Sequence, residues 1–249
     1  MAGHSKWANI KHHKAKQDAK RGKLYTKLIR ELTVAARTGG GSPNDNPRLR
    51  AVLDKAQDAN ISKDVIERAI KRGTGGGEGA ELEEVRYEGY GPGGVAIMVD
   101  CMTNNRNRTV AEVRHILTKL GGNLGTDGSV SYLFKKSGQI TFAPGVNEEQ
   151  VMEIALEAGA EDVVVNDDKS IDVVTTPETF AVIKDAMLAK GLQPEQSDIT
   201  MIAATSVPIE DKDTAEKLVR MVDMLEDFED VQSVYSNADI PNDILAKLG

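Results

Sequence analysis

The sequence predicts an α+β fold of three domains: an N-terminal three-helix domain, then two ferredoxin-like α+β domains, one inserted in the other. Three observations predict it. Apolar residues recur at helical spacing in three separate stretches before residue 73. The glycine-rich stretch Gly73-Thr-Gly-Gly-Gly-Glu-Gly79 then interrupts all periodicity, as a flexible linker does. Beyond it, residues 138–200 read as β-α-β-β-α-β, the ferredoxin-like order, with a β-α-β on either side. A length of 249 residues also exceeds the usual single domain, and 40% hydrophobic with only 4% aromatic content suits several modest aliphatic cores.

Each element has a local reason. Residues 1–22 show no clear apolar period, with Ile10 the only strong aliphatic between Trp7 and Leu24. Such an arm cannot bury enough surface to offset its ordering entropy. A helix is expected from near Gly22, with Leu24, Tyr25, Leu28, Ile29, Leu32 and Ala36 at i, i+3/i+4 spacing and Gly39-Gly40-Gly41 as its stop. Asn46-Pro47 pairs an N-cap with a proline at the first helical position, and Leu49, Val52, Leu53, Ala56 and Ala59 form one apolar face. Ser62 opens a third helix, with Val65, Ile66, Ala69 and Ile70 inward, ending at Gly73.

The pattern then changes. Val85–Tyr87 suits a short strand and Val95–Val99 a buried one. Thr109–Leu120 is helical with Val110, Val113, Leu117 and Leu120 inward, and Val130–Phe134 alternates like a strand. Strand 139–142, helix 148–158, strands 162–165 and 170–174, helix 177–189 and a strand near Ile199 complete the central unit. Ala203–Val207 opens a further strand, Thr214–Phe228 is a helix, and Val231–Tyr235 a strand. A lone β-α-β leaves a sheet face uncovered, which favours pairing the flanking units into one discontinuous domain over two domains in series. The expected division is 1–78, then 79–136 with 201–249, interrupted by 137–200.

Charge is distributed unevenly. The chain carries a net −8, yet residues 1–72 hold 17 Lys and Arg against 7 Asp and Glu, while residues 73–249 hold 14 against 32. The first thirty residues alone have nine cations and one acid, Asp18. The single tryptophan, Trp7, and three of the four histidines, His4, His12 and His13, lie among them. A basic run with an aromatic in it has the composition of a polyanion-binding arm. At a Debye length of about 8 Å the acidic remainder is largely screened from a polyanion at this end. The candidate nucleic-acid-binding residues are Lys6, Trp7, Lys11, His12, His13, Lys14, Lys16, Lys20, Arg21, Lys23 and Lys27. Positive charge continues through Arg30, Arg37, Arg48, Arg50, Lys63, Lys71 and Arg72. Arg106 and Arg108 join the candidates because Asn104-Asn-Arg-Asn-Arg108 places guanidinium groups at a helix start, a place suited to anions. The competing reading there is a capped, solvated loop with Asn105 or Asn107 as cap.

Other chemistry finds little support. Gly89-Tyr-Gly-Pro-Gly-Gly94 has the spacing G-x-G-x-x-G, but it precedes a strand instead of opening a helix, so a tight turn is expected. The histidines lack zinc-site spacing and partner cysteines, so no metal and no cofactor are expected. The acid pairs Asp167-Asp168, Glu148-Glu149 and Glu226-Asp227 lie at turns or on polar helix faces without an accompanying base, and read as solvated surface. Cys101 sits in an apolar run and reads as a buried thiol; without a disulfide framework a reducing compartment is expected. No segment approaches the roughly 20 apolar residues of a membrane span, and no secretory signal is expected from the basic N-terminus. The expected partner is nucleic acid, DNA or ribosomal RNA, with no membrane and no small-molecule substrate.

Several stretches also resemble a known family. Ala2-Gly-His-Ser-Lys-Trp-Ala-Asn-Ile-Lys-His-His-Lys14, Glu88-Gly-Tyr-Gly-Pro-Gly-Gly94, Asn105-Arg-Asn-Arg-Thr109, Gly121-Gly-Asn-Leu-Gly125 and Gly128-Ser-Val-Ser131 closely resemble the YebC/PmpR family, in order and over nearly the whole chain. The resemblance implies three domains with one inserted, a cytoplasmic bacterial protein and no known catalysis. It implies a probable DNA-binding transcriptional regulator. Mitochondrial relatives act as translational activators, and bacterial ones have been linked to ribosomes, so an RNA-binding translation factor stands as the second reading. The family supplies no established base-reading residues, so the candidates above rest on charge and position.

Overall fold

The structure, a computed structural model, describes residues 21–75, 82–166 and 168–248. Helices α1 (Arg21–Gly39), α2 (Pro47–Asp58) and α3 (Lys63–Gly73) form the N-terminal domain. Their core is Leu28, Leu32, Ala35, Ala36, Leu49, Val52, Ala56, Ile66 and Ala69, close to the expected stripes except that Leu24, near the start of α1, is exposed and Ala35 joins the core. Asn46 ties two helices together. Its Oδ1 accepts the N–H of Leu49 at 3.0 Å, capping α2, while its Nδ2 donates to the carbonyls of Ala35 and Gly40 at 2.8 Å each. Gly73 belongs to α3, not to the linker: a Cβ there would lie 2.3 Å from the Thr33 carbonyl, so its missing side chain lets α3 close on α1. The rest of the expected linker, from residue 76, lies outside the described residues.

The second domain is built on a four-stranded antiparallel sheet. Strands β1 (Glu83–Tyr90) and β2 (Ala96–Thr103) form a hairpin, and the sheet order is β3-β1-β2-β9, with β3 at Asn123–Leu124 and β9 at Val231–Ser236. Helix α4 (Arg106–Lys119) joins β2 to β3. This is the ferredoxin-like strand order reached by a permuted chain, because β1 precedes the β2-α4-β3 crossover and fills the slot inside it. β2 reads as a continuous apolar run because both its faces are covered. Val95, Ile97, Val99 and Cys101 join the cluster that includes Val113, Ile116, Leu218, Val222 and Leu225, while Ala96 and Met98 pack with Val130 and Phe134.

The third domain is a sheet of order β5-β6-β4-β7, entirely antiparallel, the order expected of β-α-β-β-α-β. Its strands are β4 (Phe134–Phe142), β5 (Asp162–Val165), β6 (Ile171–Thr175) and β7 (Gln196–Ala203), with helices α5 (Glu148–Glu157) and α6 (Phe180–Ala189) packed over Ile140, Phe142, Ile171 and Val173. The expected boundaries at 136/137 and 200/201 fall inside β4 and β7.

Two strands differ from expectation. Val130 and Phe134 are buried, but Ser131–Leu133 between them is a 3-10 turn, and the strand begins only at Phe134. Alternation at 130–134 thus records two anchors on a turn. Ala203 ends β7, and the next strand, β8 (Val207–Pro208), pairs parallel with β10 (Ala238–Asp239) in a separate ribbon. The tail therefore feeds only α7 (Lys212–Asp227) and β9 into the main sheet system before the short helix α8 (Asn242–Leu245).

Candidate nucleic-acid interface

Of the thirteen sequence candidates, Lys6, Trp7, Lys11, His12, His13, Lys14, Lys16 and Lys20 lie outside the described residues. Arg21 starts α1. Lys23 and Lys27 follow on the same helix, Lys23 exposed and Lys27 half-buried. Lys23 donates to Asp227 at 2.7 Å, at the far end of α7.

Of the cations further along the helical domain, those that meet the body are engaged, whereas Lys63, Lys71 and Arg72 on α3 are exposed. Arg30 donates from Nη2 to Glu229 at 2.7 Å, and from Nη1 to Asp230 at 3.1 Å and the carbonyls of Glu229 and Met102. Arg37 donates to the Leu82 carbonyl. Arg48 forms a forked pair with Glu84, at 2.5 and 3.1 Å. That pairing raises the guanidinium pKa and lowers the carboxyl, against the opposing pull of burial on each. Lys55 reaches Asp198 on β7 at 2.7 Å; burial pulls its pKa down, and the Asp198 charge and hydrogen bond more than reverse this. Arg50, though exposed, folds back onto the carbonyls of Pro43 and Asn44. Sequence cannot reveal such pairs, because the carboxylates lie up to 204 positions away.

Arg106 and Arg108 stand at the start of α4, where Asn105 accepts the Arg108 N–H at 3.0 Å, so Asn105 is the cap. Arg106 is mostly exposed, 3.7 Å from Glu83. Arg108 donates to Asp230 at 2.7 Å. Asp230 is therefore a node that sequence reasoning missed. It is 1% exposed and accepts from Arg30, Arg108, Thr103 at 3.2 Å and Thr109 at 2.9 Å. Burial would raise its pKa, but the hydrogen bonds from Arg108, Thr109 and Arg30 outweigh that and hold it below the ordinary carboxylate value. One carboxylate thus fastens α1 and α4 to the turn before β9.

Glu88 is a second missed residue. Buried at 6% exposure, it accepts the backbone N–H groups of Gly128, Val130 and Ser131 at 2.7–2.8 Å. These outweigh burial and lower its pKa. The glycines around it allow close approach. A Cβ at Gly89 would meet the Asn123 carbonyl at 2.4 Å, and one at Gly122 the Tyr90 carbonyl at 2.3 Å. The run Glu88–Gly94 is thus a strand end followed by a turn at Pro92–Gly94, with Gly93 at φ 76°, as its position before a strand predicts.

Reactive chemistry is sparse. Cys101 is buried, and burial above all pushes its thiol up to about 12. No group of three or more His, Cys, Asp or Glu able to hold a metal occurs among the described residues, and none of their helices is long and apolar enough to cross a membrane. Asp168 accepts from Ser170, Glu148 and Glu149 sit exposed in the first turn of α5, and Asp227 binds Lys23; Asp167 lies outside the described residues.

Comparison with known proteins agrees with this architecture. The N-terminal domain of TACO1/YebC proteins matches residues 5–76, and their second and third domains match residues 82–238. Proteins named probable transcriptional regulatory protein are similar throughout. That of Hahella chejuensis is 62% identical over 249 residues, the whole of both chains. One from Methylococcus capsulatus is 64% identical over 249 residues, again all of both, and one from Coxiella burnetii 65% over 245, covering 98% of this chain and 100% of that one. A crystal structure of a conserved hypothetical protein of Aquifex aeolicus, Aq1575, is 48% identical, covers 93% of this chain and 95% of that one, and aligns with a TM-score of 0.81. With both family segments matched in order over a helical domain and two α+β domains, the chain belongs to the TACO1/YebC family.

Proposed function

We propose that this protein is a non-enzymatic regulator of gene expression that binds nucleic acid through its basic N-terminal arm, acting as a DNA-binding transcriptional regulator. One observation carries the reading. Where the helical domain meets the body, its cations are matched by body carboxylates, whereas residues 1–20 hold Lys6, Lys11, Lys14, Lys16 and Lys20 against the single acid Asp18. The names of the Hahella, Methylococcus and Coxiella relatives support the regulatory role. The lysines, with Arg21, Lys23 and Lys27, supply salt-sensitive phosphate contacts. Trp7 stacks on an unpaired base where one is offered, a contact worth roughly 1–3 kcal/mol. His12 and His13 add donors, and Arg106 and Arg108 at the start of α4 complete the candidate set. The acidic α+β part orients the arm and the helical domain, with domain divisions near residues 79, 137 and 200.

A second reading, a translation factor on ribosomal RNA, is favoured by the helices. α3 is exposed along Lys63, Asp64, Glu67, Arg68, Lys71 and Arg72, a mixed-sign face ill-suited to lying in a major groove, and α1 and α2 are engaged with the body. Binding to duplex DNA and to ribosomes across a salt series separates the two. Tight, sequence-selective duplex binding at physiological salt supports transcription; co-sedimentation with ribosomes beside weak, unselective duplex binding supports translation. Lys11→Glu with Lys14→Glu weakens whichever interaction is real and flattens its salt dependence. Unchanged binding in that double variant defeats the role of the arm.

A further inference from the structure

Among the described residues no apolar cluster spans the helical domain and the body, although Val34 of α1, 1% exposed, lies in neither cluster. The apolar cluster of α1–α3 contains no residue beyond Ile70, and the main cluster of the second domain begins at Tyr87. Ion pairs tie them together, Lys23 to Asp227, Arg30 to Glu229 and Asp230, Arg48 to Glu84, and Lys55 to Asp198, beside the bonds of Arg30 and Arg37 to body carbonyls. The Arg30–Asp230 contact is sheltered. The Lys23, Arg48 and Lys55 pairs are not, with side-chain exposures between 34% and 56%. Solvent-screened pairs of that kind hold weakly and exchange partners readily.

We infer that the face of the helical domain carrying Lys23, Arg48 and Lys55 is a second surface for a phosphodiester backbone, covered in the free protein by the body carboxylates Asp227, Glu84 and Asp198. The inference rests on the nucleic-acid reading above. Carboxylate and phosphate oxygens accept the same charge-assisted bonds from ammonium and guanidinium groups. A phosphate polymer also gains from releasing its condensed counterions, which three separate carboxylates cannot. Lys23 directly follows the arm in sequence, so a strand held by residues 1–20 meets this face at high effective concentration. The body thus acts as an internal competitor. Weak or short polyanions leave the domain docked, and a long one displaces the body from it.

The test uses the full chain with Glu84→Gln, Asp198→Asn and Asp227→Asn together. A control neutralises three exposed acids of α5 instead: Glu148→Gln, Glu149→Gln and Glu153→Gln. The probes are a fluorescent 24-base-pair DNA duplex and, separately, an RNA stem-loop of equal charge. The triple variant is expected to bind about tenfold tighter than the parent at physiological salt, and the control no more than about twofold. In the parent, energy transfer between dyes at Glu67→Cys on α3 and Glu157→Cys on α5 falls when the tighter-binding probe is added; Cys101, being buried, takes no dye. Equal affinities for triple variant and control, or unchanged energy transfer at saturation, overturn the inference. If the Lys11→Glu, Lys14→Glu variant still loses binding in that case, the nucleic-acid reading stands alone. A parent that binds neither probe removes both.

Discussion

Asp230 and Glu88 show how single carboxylates organise the second domain. Each is buried, and each is held ionised by donors that outnumber what burial takes away. Asp230→Ala removes the buried acceptor shared by Arg30, Arg108, Thr103 and Thr109 and is expected to cost about 3 kcal/mol, read as a lowered midpoint in urea unfolding. Asp230→Asn should cost less, since it keeps an acceptor. Glu88→Gln replaces one acceptor oxygen by an amide N–H₂ that opposes at least one of the three N–H donors; a loss of about 2 kcal/mol is expected, with faster hydrogen exchange among Gly128, Val130 and Ser131. The pH dependence has a definite sign. Both folded pKa values are lowered from their ordinary carboxylate values, so their stabilisation is complete above those ordinary values and is lost as pH falls through the depressed ones. Wild-type stability should therefore drop below about pH 4, and the Glu88→Gln variant should show a shallower drop. Neither residue announces itself in sequence. Glu88 is one of 39 acids, and its partners are three backbone groups forty or more positions on.

Among the elements, those with local causes were legible. Asn46-Pro47 starts a helix wherever it stands in a suitable chain, and the structure places α2 at Pro47 with Asn46 as cap. The apolar stripes of α1–α3 and the β-α-β-β-α-β order of the third domain are likewise local signals repeated. Val130–Phe134 was misread because alternation cannot distinguish a strand from a turn with two buried ends. The permuted slot of β1 was hidden for a different reason: sheet order is a long-range property, and only the β1–β2 hairpin is contiguous. Gly73 tests how tightly α3 closes on α1. Gly73→Ala forces a methyl group against the Thr33 carbonyl and the Ala36 Cβ, and should destabilise the helical domain by about 1–3 kcal/mol, seen as a lowered thermal midpoint. Gly40 offers a contrast, since open space surrounds its Cβ position and only its positive φ opposes a side chain.

On the scale of the whole molecule, the opposed charges of the two ends meet. The sequence made the imbalance plain but not its use, because which cation pairs with which carboxylate depends on the packing of all three domains. Raising salt from 0.1 to 1 M should loosen the helical domain from the body while leaving both α+β sheets folded, a change that small-angle scattering detects as an increased radius of gyration with unchanged helical circular dichroism. One further property of the assembly follows from the third domain. The chain enters it on β4 and leaves it on β7, and these strands pair from Phe134 with Ala203 to Thr141 with Gln196. Entry and exit are therefore zipped together like the stem of a keyhole. Such a module can be clipped out, or exchanged for another of the same stem, without redirecting the chain that carries it.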